Sequence, residues 1–172
     1  GEYASACLAR ERIFEYHASK HEINVALIRL NYAIDLRYGV LHDIAQNIWQ
    51  GKPVDLAMGH FNCIWQGDAN ERILRSLKHC TYPPNILNLT CPGASSVRTV
   101  AEQLGELLER EVQFSNTESE SAWLNNPAKA IKLFDEPETS LNTMLQWTAH
   151  WTKIEGRSHR KPTHFEVRDG KY

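Results

Sequence analysis

Long apolar runs are missing from this 172-residue chain. None approaches the ~20 residues that a membrane-spanning helix needs, so no membrane partner is expected. No signal peptide is expected either, because the first residues already read as a charged helix. A charge excess of one sign is also missing. Nineteen Lys and Arg stand against 21 Asp and Glu, a formal net charge of -2. That balance argues against broad nucleic-acid binding and against attachment to an anionic membrane. The four cysteines, Cys7, Cys63, Cys80 and Cys91, form no CxxC pair. Their scatter excludes the usual zinc and disulfide frameworks and fits reduced thiols in a cytoplasmic protein. Neither GxGxxG nor GxxxxGK[ST] occurs, so the chain carries no glycine-rich phosphate loop of its own. Internal repeats, low-complexity tracts and a Ser-His-Asp signature are absent too. The chain is long enough for one domain with a sizeable core.

What is present reads as alternating helices and strands. The opening stretch, YASACLARERIFEY from Tyr3, is a helix with Leu8, Ile13 and Phe14 on an apolar face. NVALIRL, Asn24 to Leu30, is a short, nearly all-apolar strand, the kind found in parallel sheets covered on both faces. A lone parallel strand has no partner, so the rest of its sheet is expected to precede Gly1, and the chain is expected to be the C-terminal portion of a larger α/β protein. NYAIDLRYG is a polar and aromatic crossover. VLHDIAQNIWQ is a helix closed by Gly51-Lys52-Pro53. VDLA and FNCIW read as two short strands. GDANERILRSLKHC is a helix with Asp68 expected as its N-cap. ILNLT is a buried strand, and SSVRTVAEQLGELLERE is a strongly amphipathic helix capped by Ser95 or Ser96. VQF is a short strand. NPAKAIKLF is a short helix with Pro127 in its first turn. SLNTMLQWTAHWTKI is the last helix, and its Trp147 and Trp151 read as core. The tail is basic and ends in HFEVRDG, a strand or an arm lying on the body. The order is mixed α/β.

Several residues stand where chemistry is carried. Tyr3 begins a helix. A tyrosine used as acid/base in a reductase needs its pKa of ~10 lowered by a cation one helical turn away. That place is held by Cys7, whose neutral thiol brings no charge, and Arg10 is two turns off. Tyr3 is therefore either an acid/base group or an aromatic at a helix start. Cys7 is either a thiol activated by a helix N-terminus or a small buried hydrophobe. His17 and His21 are four apart but lack an arranged third ligand, so no metal site is assigned. Asn31, Tyr32 and Arg37 follow the C-terminal end of a buried strand, the edge where ligands bind in open α/β sheets. Trp65, at the end of another strand, is a candidate to face a pocket.

Taken in order, these segments resemble the C-terminal half of an extended short-chain dehydrogenase/reductase, the NAD-dependent epimerase/dehydratase family, from Gly1 to about Thr152. YASACLARERIFEY is similar to the helix that begins with the family's YxxxK. VALIRLNYAID is similar to the strand that reads LRxxNVYGP. FNCIWQGDANERILRSL is similar to the R-D-F-[IV]-x-V-x-D-V-A segment, with Asp68 on its final aspartate. NILNLTCPGASSVRTVAEQLGELL is similar to xYNIGxxxxxSVxELAExIxxxxG and is the most specific match. The resemblance implies a truncated Rossmann-type fold, its last helix and strand in residues 1–37, followed by a smaller α/β substrate domain in 38–155 and a tail or arm in 156–172. It implies NAD or NADP in the full-length protein, bound largely by an N-terminal half outside this chain, and none bound to the fragment alone. It places Tyr3 at the nicotinamide as the catalytic residue and Asn31 and Tyr32 at cofactor and substrate, with Arg37 and Trp65 on a small polar, sugar-like or hydroxy substrate.

Three positions depart from the family pattern. Cys7 stands for the lysine, NYAIDLRYG lacks the NVYGP ending, and Phe61 or Asn62 stands where nucleotide-sugar enzymes carry an arginine for the diphosphate. Two functions stay open: an NAD(P)-dependent oxidoreductase or epimerase, and a non-catalytic ligand- or cofactor-binding member of the same fold. Without its neighbours, the NVALIRL strand is also expected to pair with a second copy of the chain through its open edge.

Overall fold

The computed structural model describes residues 1–168. Six helices and eight short strands follow in the order α1 (Glu2–His21), β1 (Ala26–Leu30), β2 (Ala33–Ile34), α2 (Val40–Trp49), β3 (Val54–Asp55), β4 (His60–Phe61), β5 (Ile64–Trp65), α3 (Gln66–Ser76), β6 (Asn85–Leu89), β7 (Ser95–Ser96), α4 (Val97–Leu108), β8 (Phe114–Ser115), α5 (Ala128–Phe134) and α6 (Leu141–Lys153). A 3₁₀ turn, Leu77–His79, extends α3.

The main core lies between α2, α4 and α6. Helix α2 buries Val40, Leu41, Ile44, Ala45 and Ile48, the i, i+1, i+4, i+5, i+8 face that its sequence spells out. Helix α4 meets it with Val97, Val100, Ala101, Leu104 and Leu108. Helix α6 closes the layer with Met144, Leu145 and Ala149. Each large aliphatic group buried here stabilises the fold by about 1.5–3 kcal/mol. Ser96 caps α4 by accepting the N–H of Thr99, and Ser140 caps α6 by accepting that of Thr143. Two glycines are fixed by their surroundings. Gly39 starts α2 at φ 125°, a conformation closed to ordinary side chains. A Cβ on Gly105 of α4 would run into Val112.

The strand Asn24–Leu30 is not alone. Its ordered part, β1, pairs in parallel with β6, Ala26 opposite Asn85 through Leu30 opposite Leu89. The expectation of cover on both faces is corrected: Leu27 is buried, whereas Leu30 is 42% exposed. Behind β6 a second, smaller core gathers Leu87, Leu89, Ala130 and Phe134, with Ile28 and Ile73 packed on it. The remaining strands are two-residue pairs, β2 with β5 and β3 with β8 in parallel, and β4 with β7 antiparallel. FNCIW therefore splits into β4 and β5 around Asn62 and Cys63, and VQF shifts to Phe114–Ser115.

Other expectations are revised. Asp68 is not the cap of α3; Trp65 holds that place, and the Asp68 carboxylate instead accepts the N–H of Thr139 at 2.9 Å and its hydroxyl at 3.1 Å. Pro127 is the residue just before α5, not within its first turn. Trp147 is 41% exposed, because the buried stripe of α6 runs through Thr148 and Thr152. The apolar face of α1 is not covered by the described residues: Tyr3, Leu8, Ile13, Phe14 and Tyr16 are each more than half exposed, and only Ala18 is buried. His21 is the last residue of α1, and its ring stacks on that of His17 at 5.8 Å. The tail forms no strand among the described residues. It wraps back over α2, with Phe165 buried and Arg168 bonded to Ser121; Asp169 and Gly170 of the HFEVRDG segment lie outside the described residues. Among the described residues no helix is long and apolar enough to cross a membrane.

Candidate functional site

The site is made where the chain leaves one sheet for another. Asn31 still continues the β1–β6 ladder, its N–H donating to Leu89 O at 3.1 Å. One residue later Tyr32 O accepts the N–H of Ile64, and the chain runs on as β2 alongside β5. A crevice must open where parallel strands part at their C-terminal ends. It is a cavity of ≈ 300 Å³ with Asn31, Tyr32, Asp35, Tyr38, Gln66 and Thr163 on its wall.

Asn31 is locked in place. Its Nδ2 donates to Asn62 O at 2.8 Å and to Asn62 Oδ1 at 2.5 Å. Asn62, only 4% exposed, in turn donates Nδ2 to Asn125 O at 2.8 Å and accepts the N–H of Asn125 at 3.3 Å. Three segments far apart in sequence thus meet on one buried amide. Both the oxygen and the nitrogen of the Asn62 amide are engaged within the chain, which makes this side chain a structural joint.

Asp35 accepts Arg37 N at 2.8 Å, Nε at 2.9 Å and Nη2 at 2.7 Å. These bonds pull its carboxyl down to about 2, the guanidinium hydrogen bonds outweighing partial burial. At neutral pH Asp35 is a fixed anionic acceptor on the cavity wall, suited to hold hydroxyl groups and not to donate a proton. Thr163 of the tail closes the other side, donating N–H and hydroxyl to Asp43 Oδ2 at 2.7 and 2.6 Å.

The structure brings Asn31 and Tyr32 together on this cavity. Tyr3, Arg37 and Trp65 are not on its wall. Tyr3 sits in the first turn of α1, 65% exposed, with Cys7 partly exposed one turn on. Arg37 spends its guanidinium on Asp35. Trp65 meets Trp147 edge to face at 5.1 Å. His17 and His21 belong to no metal-ligating group, and none of three or more residues occurs among the described residues. Sequence reasoning missed Asp35, Tyr38, Gln66 and Thr163. The signal for Asp35 was local, an aspartate two residues before an arginine; that for Thr163, 120 residues from its partner, was not in the sequence at all.

A second cavity of ≈ 260 Å³ has Asn62, Cys63, Cys91, Glu138 and Thr139 on its wall. Burial raises the Cys63 thiol to about 12 and the Cys91 thiol to about 11. Both are inert packing groups at neutral pH.

No family model matches the sequence, and no curated protein does. Solved structures do match. The UDP-glucuronic acid 4-epimerase of Bacillus cereus in complex with NAD superposes with a TM-score of 0.72 over 86% of this chain and 51% of its own, at 14% identity. The UDP-glucose 4-epimerase of Thermotoga maritima with UDP-glucose gives 0.68 over 86% and 52%, at 15% identity. The dTDP-glucose 4,6-dehydratase of Bacillus anthracis in complex with NAD gives 0.71 over 90% and 52%, at 19% identity. The chain spans about half the length of these structures. Its fold is mixed α/β and matches part of the Rossmann-like fold of these epimerases and dehydratases.

Proposed function

We propose that the chain is the substrate-side, C-terminal portion of an NAD(P)-dependent epimerase/dehydratase-like oxidoreductase acting on a sugar-like or hydroxy compound. The observation that carries this reading is the strand-end cavity of Asn31, Tyr32 and Asp35, placed in a fold that superposes on NAD-bound sugar epimerases and dehydratases. A cavity walled by a fixed carboxylate, a phenol and amides suits a polyhydroxylated ligand. The exposed apolar face of α1 and the second edge of β1, unpaired among the described residues, support a preceding Rossmann half as the body that covers both. A second copy of the chain is the other candidate for that edge.

The residues present fit one wall of a dinucleotide site. NAD(P), when bound, supplies the hydride acceptor. Asn31 and Tyr32 would hold cofactor or substrate at the end of β1, and Tyr3 Oη would hold or move the proton of the reacting hydroxyl. Cys7 leaves that phenol without a lysine one turn away. This single departure favours the second reading, a member of the fold that binds its ligand without turning it over.

The test uses the full-length parent protein and its Cys7→Lys variant. On the first reading the parent binds NAD(P) in calorimetry, and the variant gains turnover of a hydroxy substrate. Cofactor binding with no turnover in either protein would support the binding module, and no cofactor binding in either would refute the oxidoreductase and leave only a binder of another ligand.

A further inference from the structure

A cavity larger than the one at the strand end lies elsewhere among the described residues. It is a cleft of ≈ 740 Å³ between α2, the end of α6 and the tail segment 155–162, and it shares no wall residue with the strand-end cavity. Four cations line it: Lys52, Arg157, Arg160 and Lys161. All four are exposed, and none has a side-chain hydrogen bond or ion pair among the described residues. Two carboxylates share the cleft. Asp43 is already occupied by the two bonds from Thr163, and Glu155 is exposed to solvent.

The backbone that carries these cations is pinned. Gly156 N donates to Trp151 O at 2.9 Å, and Trp151 Nε1 donates to Arg157 O at 3.2 Å. Ser158 Oγ bonds His42 Nε2 at 2.9 Å and also accepts the N–H of Arg160 at 3.0 Å. His159 N donates to Arg37 O at 3.0 Å. Glu155 and Arg160 adopt left-handed φ angles of 52° and 54°, which turn the segment back on itself. Like charges so gathered repel one another unless an anion joins them. His42, 4% exposed and on the wall of the cleft, is held through Nε2 by Ser158, and burial lowers its pKa, so the ring brings no charge of its own to the wall at pH 7. Trp49 adds an indole to the wall, its ring already under the Arg110 guanidinium at 4.8 Å.

We infer that this cleft binds a small polyphosphate-bearing anion, held by Lys52, Arg157, Arg160 and Lys161. The volume suits a drug-sized ligand and exceeds what a single phosphate fills. The shared chemistry is a chain of phosphates, free or carried on a nucleoside.

The test is calorimetric titration of the full 172-residue chain with inorganic tripolyphosphate and, separately, with ATP. Binding is expected, weakening as salt rises. Arg160→Ala and Lys161→Ala are each expected to lower affinity roughly tenfold, and Lys52→Ala, on a different segment, to do the same. Urea midpoints of the variants check that they fold. Equal affinity for the two probes identifies the phosphate chain alone; tighter ATP binding that is lost in Trp49→Leu identifies a nucleotide. No binding of either probe at millimolar concentration, or folded variants that bind as the native chain does, would overturn the inference.

Discussion

Asn31 donates its Nδ2–H to Asn62 Oδ1 at 2.5 Å, and that same oxygen accepts the backbone N–H of Asn125 at 3.3 Å. One buried side chain therefore fixes the end of β1, the break between β4 and β5, and the loop before α5. Replacing Asn62 with alanine or leucine removes three bonds and leaves the backbone N–H and O of Asn125 without those partners in a part-buried site, while Asn31 Nδ2 keeps its bond to Asn62 O. The expected loss is about 2–4 kcal/mol, since each orphaned group costs ~1–3 kcal/mol and some recover water. Urea denaturation measures it. A midpoint shift under about 0.5 kcal/mol would show that the joint is not structural.

Asp35 and Arg37 make a prediction in pH. The folded-state pKa of Asp35 is depressed to about 2, below the ordinary value of ~3.9. A depressed carboxylate contributes stability that is present above the unfolded pKa and is lost as pH falls toward the folded one. The window is thus about pH 4 down to pH 2. Carbon-detected NMR titration should place the Asp35 midpoint near the lower end, and Arg37→Ala should return it toward the ordinary value. An Asp35 midpoint near 4 in the native chain would dissolve the pair.

How much of this was legible in the sequence depends on range. Helices α2, α4 and α6 were plain because their apolar spacing is a local signal, and the Ser96 cap sits directly before the run that it starts. The strand pairs were not plain. A two-residue strand such as Val54–Asp55 has no periodicity to read, and its partner Phe114–Ser115 is some 60 residues on. Asp68 looked like a cap because its neighbourhood fits one; only the folded chain shows Thr139 71 residues away taking both carboxylate oxygens. For the candidate site, the place of Asn31 and Tyr32 after a strand pointed to the cavity wall that they line, whereas the amide joint and the Asp43–Thr163 clamp needed tertiary structure.

The four thiols should separate in reactivity. Burial raises Cys63 to about 12 and Cys91 to about 11, so almost no thiolate forms at pH 8. Iodoacetamide on the native chain, followed by peptide mass spectrometry, should label Cys7 and Cys80 well before Cys63. Labelling of Cys63 at the rate of Cys7 would show that the region around Asn62 opens on the timescale of the reaction.

Asp68→Ala should destabilise by roughly 1–3 kcal/mol, because two hydrogen bonds to a charged acceptor are lost together. The reason lies in where Thr139 sits: it precedes Ser140, the cap of α6, so the Asp68 carboxylate holds the approach to that helix. Asp68→Asn keeps one carbonyl oxygen to accept the Thr139 N–H and should recover part of the loss. Hydrogen exchange distinguishes this role from a generic one. In Asp68→Ala the first-turn amides of α6, Thr143 above all, should lose protection, while those of α4, capped independently by Ser96, should not. Equal loss in both helices would mean that Asp68 supports the whole core and not the approach to α6.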